Sequence, residues 1–264
     1  YCGAVVKESL RPFAFHGLQF ISARSGQAIA SCPFCSKQKF YANDDTGEWD
    51  CKVCQRRGNI FTFIRELWKE SKKYQPLKEL ERLARERRLL FPETLDAWGI
   101  CQSIITKEWL VPGFNADRKL TQLYIWRRSY QTKKLTLYAT AGLKHQLFGV
   151  DQYQPRETKV WLCEGVWDAL TLWEISSRLK KGLGNVLAVP GCGAVGESLL
   201  QWSNFFSGKV VSLVFDNDYP IRGEAAGYNA TKRAAAYLSK TKPREINWLK
   251  WSERGYSEKY ANGF

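Results

Sequence analysis

The chain has 264 residues, 44% hydrophobic and 25% charged, which is enough apolar material for two packed domains and too much for global disorder. Its net charge is +14, with 12 basic against 7 acidic residues over 1–75, 14 against 8 over 76–156 and 14 against 11 over 157–264. That excess suits a polyanionic partner such as nucleic acid, an inert basic surface being the plain alternative. No apolar run approaches the roughly 20 residues of a membrane span, and no secretory leader opens the chain, so a soluble, cytoplasmic protein without a membrane partner is expected.

The first 65 residues read as short strands and turns around a cysteine cluster. Four cysteines are spaced Cys32-x2-Cys35-x15-Cys51-x2-Cys54. Each Cys-x-x-Cys makes a tight turn presenting two thiolates, and two such turns close a tetrahedron around structural Zn²⁺. Two disulfides are the weaker reading for a chain with no sign of secretion. Lys39–Ala42 and Glu48–Asp50 are expected to form a hairpin around a turn at Asp45–Gly47. Phe34, Phe40, Tyr41 and Trp49 lie among Lys37, Lys39, Lys52, Arg56 and Arg57, a mixture that suits single-stranded nucleic acid. Some of these rings must fill the small core, and Trp49 is the first choice for an exposed stacking ring, with Arg56 beside it. Cys2, Cys101, Cys163 and Cys192 have no partner spacing, and Cys163 reads as core. His16 and His145 read as structural.

A helix is expected from the N-cap Asn59 through Leu67, followed by a polar linker at 69–76 (KESKKYQP). An amphipathic helix follows over Leu77–Leu90. Residues 109–114 (WLVPGF) and 120–128 (LTQLYIWRR) read as strands flanking a turn at Asn115–Arg118, and Leu135 and Leu137 continue the alternation. Between Lys107 and Lys144 stand eight basic residues, among them Arg118, Arg127, Arg128, Lys133, Lys134 and Lys144, against Glu108 and Asp117 alone. They are candidates for binding nucleic acid or nucleotide, a solvated sheet face being the alternative.

After Pro155 the pattern changes. KVWLC (159–163), NVLAVP (185–190), KVVSLVF (209–215) and EINWL (245–249) read as apolar strands, with helices expected over Asp168–Lys180, Glu197–Phe206 and Gly227–Ser239. Such alternation predicts a parallel sheet covered by helices. Glu164-Gly165-Val166-Trp167-Asp168 follows the first strand directly, and Asp216-Asn217-Asp218 follows the third. Carboxylates gathered at the carboxyl ends of parallel strands make a hard-oxygen site for Mg²⁺ or Mn²⁺. Read singly, each could be a helix cap or a solvated loop residue.

EGVWD with DND resembles the TOPRIM domain, and Ala226-Gly227-Tyr228-Asn229-Ala230 resembles the Gly-x-x-Ala that opens a later TOPRIM helix. A zinc ribbon upstream of TOPRIM resembles bacterial and phage-type DNA primases over nearly the whole chain. Arg57–Ile64, Leu90–Ile100 and Leu143–Gly149 are similar to the connecting segments of that family. The resemblance implies an α+β and α/β architecture: a small four-cysteine zinc-ribbon domain (1–68), a linker (69–76), a basic subdomain of mixed α+β type (77–156), a TOPRIM parallel-sheet subdomain (157–252) and a tail (253–264). It implies that Glu164, Asp216 and Asp218 bind the catalytic metal, with Asp168 orienting a basic side chain or holding a second metal. The implied activity is RNA primer synthesis on single-stranded DNA from ribonucleoside triphosphates, beside a replicative helicase, fused or separate, at the nucleoid of a bacterial, phage or plasmid replisome. A TOPRIM nuclease and a non-catalytic single-strand-binding replisome module are the rival readings. Three departures from the family are an insertion at Pro220–Glu224, no visible acidic motif after the fourth strand, and a ribbon that begins later than the family's, at Cys32. The missing motif leads to the expectation that the chain is a piece of a longer protein.

Overall fold

Alternation in the cysteine-bearing segment sets its local structure. Phe40, Ala42, Trp49 and Cys51 are buried while Tyr41, Asn43 and Asp50 between them are half-buried, the two-residue period of a sheet with one face on a core. A computed structural model describes residues 7–24, 26–178, 182–216 and 226–249. The chain divides into two units, residues 1–151 and 152–264.

The first unit opens with a short helix, α1 (Arg11–Phe15), and a five-stranded antiparallel sheet in chain order: β1 (Phe20–Arg24), β2 (Gln27–Ala30), β3 (Phe40–Asn43), β4 (Trp49–Cys51) and β5 (Arg57–Gly58). The turn between β3 and β4 is closed by Asn43, whose Oδ1 accepts the N–H of Asp45 and of Thr46, both at 2.9 Å. Helix α2 (Ile60–Lys73) starts where Asn59 Oδ1 accepts Thr62 N–H at 3.2 Å. Its Phe63 completes an aromatic core with Phe13 (ring centroids 4.9 Å apart), Phe40 and Trp49.

Residues 69–73, expected as linker, are instead the last turns of α2. Polarity misleads here because Ser71 is buried and its Oγ accepts Ile104 N–H at 3.2 Å, while Lys72 Nζ donates to Asp96 O at 3.0 Å. Helices α3 (Leu77–Glu86) and α4 (Glu93–Ala97) lead into a second antiparallel sheet, β6 (Cys101–Gln102), β7 (Trp109–Phe114), β8 (Leu120–Arg128) and β9 (Leu135–Tyr138), again in chain order. Every residue of β7 is buried, so this strand is covered on both faces. Trp68 of α2 lies edge-on to Phe114 and donates Nε1–H to Gly99 O at 2.7 Å.

The second unit alternates as expected. Strands β10 (Lys159–Cys163), β11 (Asn185–Ala188), β12 (Val210–Val214) and β13 (Glu245–Trp248) are all parallel. Helix α5 (Val166–Trp173) runs on into a π turn at Glu174–Arg178. A 3-10 stretch at Glu197–Trp202 leads into α6 (Ser203–Phe206), and α7 (Ala226–Ser239) precedes β13. The sheet order is β11-β10-β12-β13. From β10 the chain crosses outward to β11, and from β12 it crosses the other way to β13. Neighbouring strands whose connections leave in opposite directions form a topological switch point, and the crevice past their carboxyl ends is where such sheets bind ligands. Among the described residues no helix is long and apolar enough to cross a membrane.

Candidate functional site

The four predicted zinc ligands come together. Their sulfur atoms all lie within 4.8 Å of one another, with Cys32 to Cys54 at 3.8 Å and Cys35 to Cys51 at 3.7 Å. Four thiolates bound tetrahedrally at the usual Zn–S length of about 2.3 Å sit about 3.8 Å apart, so the donor set fits structural zinc. The separations are far beyond a disulfide bond, and all four cysteines are free.

The two knuckles repeat one geometry. Ser36 N–H bonds to Cys32 O and Gln55 N–H to Cys51 O, each at 2.9 Å. Cys32 N–H bonds to Lys37 O and Cys51 N–H to Arg56 O, each at 2.8 Å. Ser36 and Gln55 both take left-handed conformations, φ 59° and 60°, to close these turns. Burial pushes the thiols of Cys32 and Cys54 up, while at Cys51 the N–H groups of Cys54 and Val53 together with the neighbouring thiols outweigh it and bring the group down to about 7.

One expectation about the ribbon is corrected. Trp49 is not an exposed stacking ring: it is 3% exposed, lies flat on Phe40 with centroids 5.0 Å apart, and donates Nε1–H to Asn59 O at 2.9 Å. As the largest inward-facing side chain of β4, it packs into the aromatic core with Phe40 and Phe63. Arg56 is tied within the chain, with Nη2 2.7 Å from Glu70 Oε1 and its guanidinium 4.7 Å from the Phe34 ring centre. What the sheet does offer is a groove of about 620 Å³, lined by Gln27, Tyr41, Asn43, Asp50, Arg57 and Thr62 among others. The outward positions of β3 and β4 carry that signal in the sequence.

In the second unit, Glu164 is the first residue after β10 and Asp216 the second after β12, so both sit at the switch point. Glu164 N–H bonds to Val214 O at 3.1 Å, which pins it to the neighbouring strand. Its Oε2 accepts Asp216 N–H at 3.1 Å. Asp168, in the first turn of α5, lines with Asp216 a cavity of about 240 Å³. Glu164 thus meets the Asp216 backbone and Asp168 shares a cavity with Asp216, but among the described residues only the four cysteines bring their ligand atoms close enough together to hold an ion. Asp218 and the insertion at Pro220–Glu224 lie outside the described residues. Helix α7 starts hard against this site, for a Cβ on Gly227 would overlap the backbone oxygen of Asp216. That close approach explains the glycine of the Ala226-Gly227 step.

Sequence reasoning missed Cys192. It follows Gly191 in the turn after β11, and its Sγ–H donates to Glu164 Oε1 at 2.7 Å. Gly191 N–H also bonds to Glu164 O at 3.0 Å, and Arg233 of α7 donates to Cys192 O at 3.1 Å. The available signal was position: the residue stands just past the end of an apolar strand next to the one that carries Glu164. Cys163, by contrast, is buried in β10, its thiol raised by burial and by the Asp168 charge.

The basic candidates divide between the two ends of β8. Arg118 stands in the turn before the strand. Arg128, Lys133 and Lys134 sit at the hairpin that joins β8 to β9, about 27 Å away at the usual rise of a nine-residue strand. Arg127 is half-buried, with Glu108 at 3.7 Å and its guanidinium 5.1 Å from the ring centre of Tyr138. Lys144 is exposed in the loop beyond β9. His16 is wholly buried against Thr140, as a structural histidine should be, and burial with the nearby Arg127 charge holds it down to about 3.

No protein-family model and no curated protein matches the sequence. Solved structures do resemble it. The E. coli primase catalytic core is 14% identical, with 74% of each chain covered and a TM-score of 0.50. The RNA polymerase domain of Mycobacterium tuberculosis primase DnaG is also 14% identical, covering 72% of this chain and 75% of that one, TM-score 0.50. The zinc-binding and RNA polymerase domains of Aquifex aeolicus primase are 15% identical, covering 97% of this chain and 80% of that one, TM-score 0.46. The fold is thus of the primase-core kind: mixed α and β, with antiparallel sheets and one parallel sheet.

Proposed function

We propose that the chain is a DNA primase, a nucleotidyltransferase that makes short RNA primers on single-stranded DNA. The observation that carries this reading is the placement of Glu164 and Asp216 at the switch point of the parallel sheet, in a fold shared with primase cores. In it, residues 1–68 read the template, 77–156 hold it and 157–252 carry the chemistry. A replicative helicase, fused or separate, is the partner this role implies.

Glu164, Asp216 and Asp218 would hold Mg²⁺ or Mn²⁺, and Asp168, which lines a cavity with Asp216, would orient a second ion or a basic side chain. Hard carboxylate oxygens at an open crevice fit these ions, which retain waters and bind phosphate oxygens. When bound, such ions polarise the α-phosphate and lower the pKa of the attacking 3′-hydroxyl. The protein's own part is placement. The Val214 carbonyl fixes the Glu164 main chain, the Asp216 N–H and the Cys192 thiol each hold one oxygen of its carboxylate, and the start of α7 packs against the Asp216 backbone. Phosphoryl transfer of this kind asks for positioning and charge neutralisation more than for covalent chemistry by side chains. The polar groove on β3 and β4 would read template bases, and the basic hairpin would neutralise phosphates.

The test is Asp216→Asn. This change removes one negative charge at the site and leaves the backbone N–H that Glu164 accepts. Primer synthesis should fall by at least roughly a hundredfold while affinity for single-stranded DNA stays within about twofold. Synthesis that survives the substitution would refute the assignment.

A further inference from the structure

Tyr130 is the most exposed large hydrophobic side chain of the described residues, at 89%. It stands at the tip of the hairpin between β8 and β9, and the tip is built rather than loose. Ser129 N–H bonds to Lys134 O at 2.7 Å, Lys133 N–H to Ser129 O at 3.0 Å, and Thr132 N–H to Ser129 Oγ at 3.1 Å. Lys133 adopts a left-handed conformation, φ 59°, to complete the turn. Arg128 crosses the tip and donates Nη1–H to Lys133 O at 2.7 Å. An ordered turn that presents a bare phenol ring to water calls for an explanation.

The surroundings of the ring limit what it can meet. Lys133 Nζ lies 4.5 Å from the ring centre and covers one face, leaving the other open. Arg128, Lys133 and Lys134 share its hairpin, and among the described residues no ion pair involves any of them. No acidic residue occurs between Asp117 and Asp151. An aromatic face beside uncompensated cations repels cationic partners and is ill suited to an apolar one. It matches a chain of phosphates with unpaired bases, because a base can stack on the open face while the cations neutralise the backbone.

We infer that the β8–β9 hairpin tip is a single-stranded DNA contact in which Tyr130 stacks on one unpaired base, with Arg128, Lys133 and Lys134 on the flanking phosphates. This deepens the proposed function and rests on it, since it names a place in the first unit where the template would be held. A duplex offers no open base face to the ring, so the contact discriminates single strands from paired ones.

The test uses the full chain and a single-stranded oligonucleotide carrying 2-aminopurine, read by fluorescence and by affinity, beside the matching duplex. Tyr130→Ala should weaken single-strand binding roughly tenfold and relieve the quenching of the probe. Duplex affinity should not move, and Tyr130→Trp should restore both signals. Replacing Arg128, Lys133 and Lys134 together by alanine should lower the salt slope of single-strand binding by about two. Unchanged binding and quenching in Tyr130→Ala would overturn the contact, and so would equal losses on single strand and duplex. Primer synthesis by the parent chain alongside either result would leave the proposed function standing. A parent chain that binds no single strand would sink both.

Discussion

At the scale of single residues, the acidic site depends on a hydrogen bond that no acidic motif announces. Cys192 Sγ–H and Asp216 N–H each take one oxygen of Glu164, so the carboxylate is fixed in rotation before any ion arrives. Cys192→Ala should therefore lower primer synthesis by roughly tenfold, the value of one hydrogen bond to a charged group. Cys192→Ser, which keeps a donor, should stay near the parent, and steady-state synthesis rates with circular dichroism as a fold control would show it. His16 gives a second test. Its folded-state value of about 3 lies below its ordinary 6.5, so the unfolded chain binds the extra proton first. Stability should be full above pH 6.5 and decline as pH falls from there towards about 3. The unfolding midpoint followed across that window should drop less steeply in His16→Gln.

At the scale of elements, the strands were largely legible and the assignments of individual side chains were not. Strands β7, β8 and β10 fall where their apolar runs place them, because each run is bounded by turn residues and nothing competes with it. Alternation told which residues of β3 and β4 face alike. It did not tell which face is the core, and that is why Trp49 looked available and proved buried. The ion pairing of Arg56 was hidden for a related reason: its partners Glu66 and Glu70 lie in the second and third turns of α2, a proximity that only the fold creates. The 69–76 segment looked like linker because a buried serine and a lysine reaching a backbone oxygen read as polar surface. The glycine opening α7 was legible as a motif, but its cause, the Asp216 backbone against it, was not. Gly227→Ala should cost about 1–3 kcal/mol of stability through overpacking and should disable the site, as measured by denaturant unfolding beside primer synthesis.

At the scale of the whole molecule, two features stand apart in the chain: a cysteine tetrad in the first unit and an acidic switch point in the second. Removing zinc should unfold the ribbon, since a sheet this small leans on its metal. A chelator at neutral pH, or Cys51→Ser, should release one zinc per chain and lower the thermal midpoint. The excess of basic charge is a property of the whole chain, concentrated over residues 1–156.

With Glu164 and Asp216 at the ends of β10 and β12 holding the metal, the chain would make RNA on a DNA template. This is tested most directly by incubating the chain with single-stranded DNA, labelled ribonucleoside triphosphates and Mg²⁺ or Mn²⁺, and resolving the products by length. Short oligoribonucleotides complementary to the template are expected, formed only with metal and absent from the Asp216→Asn chain. Metal-dependent shortening of the template without any labelled product would contradict this reading and make the site a nuclease.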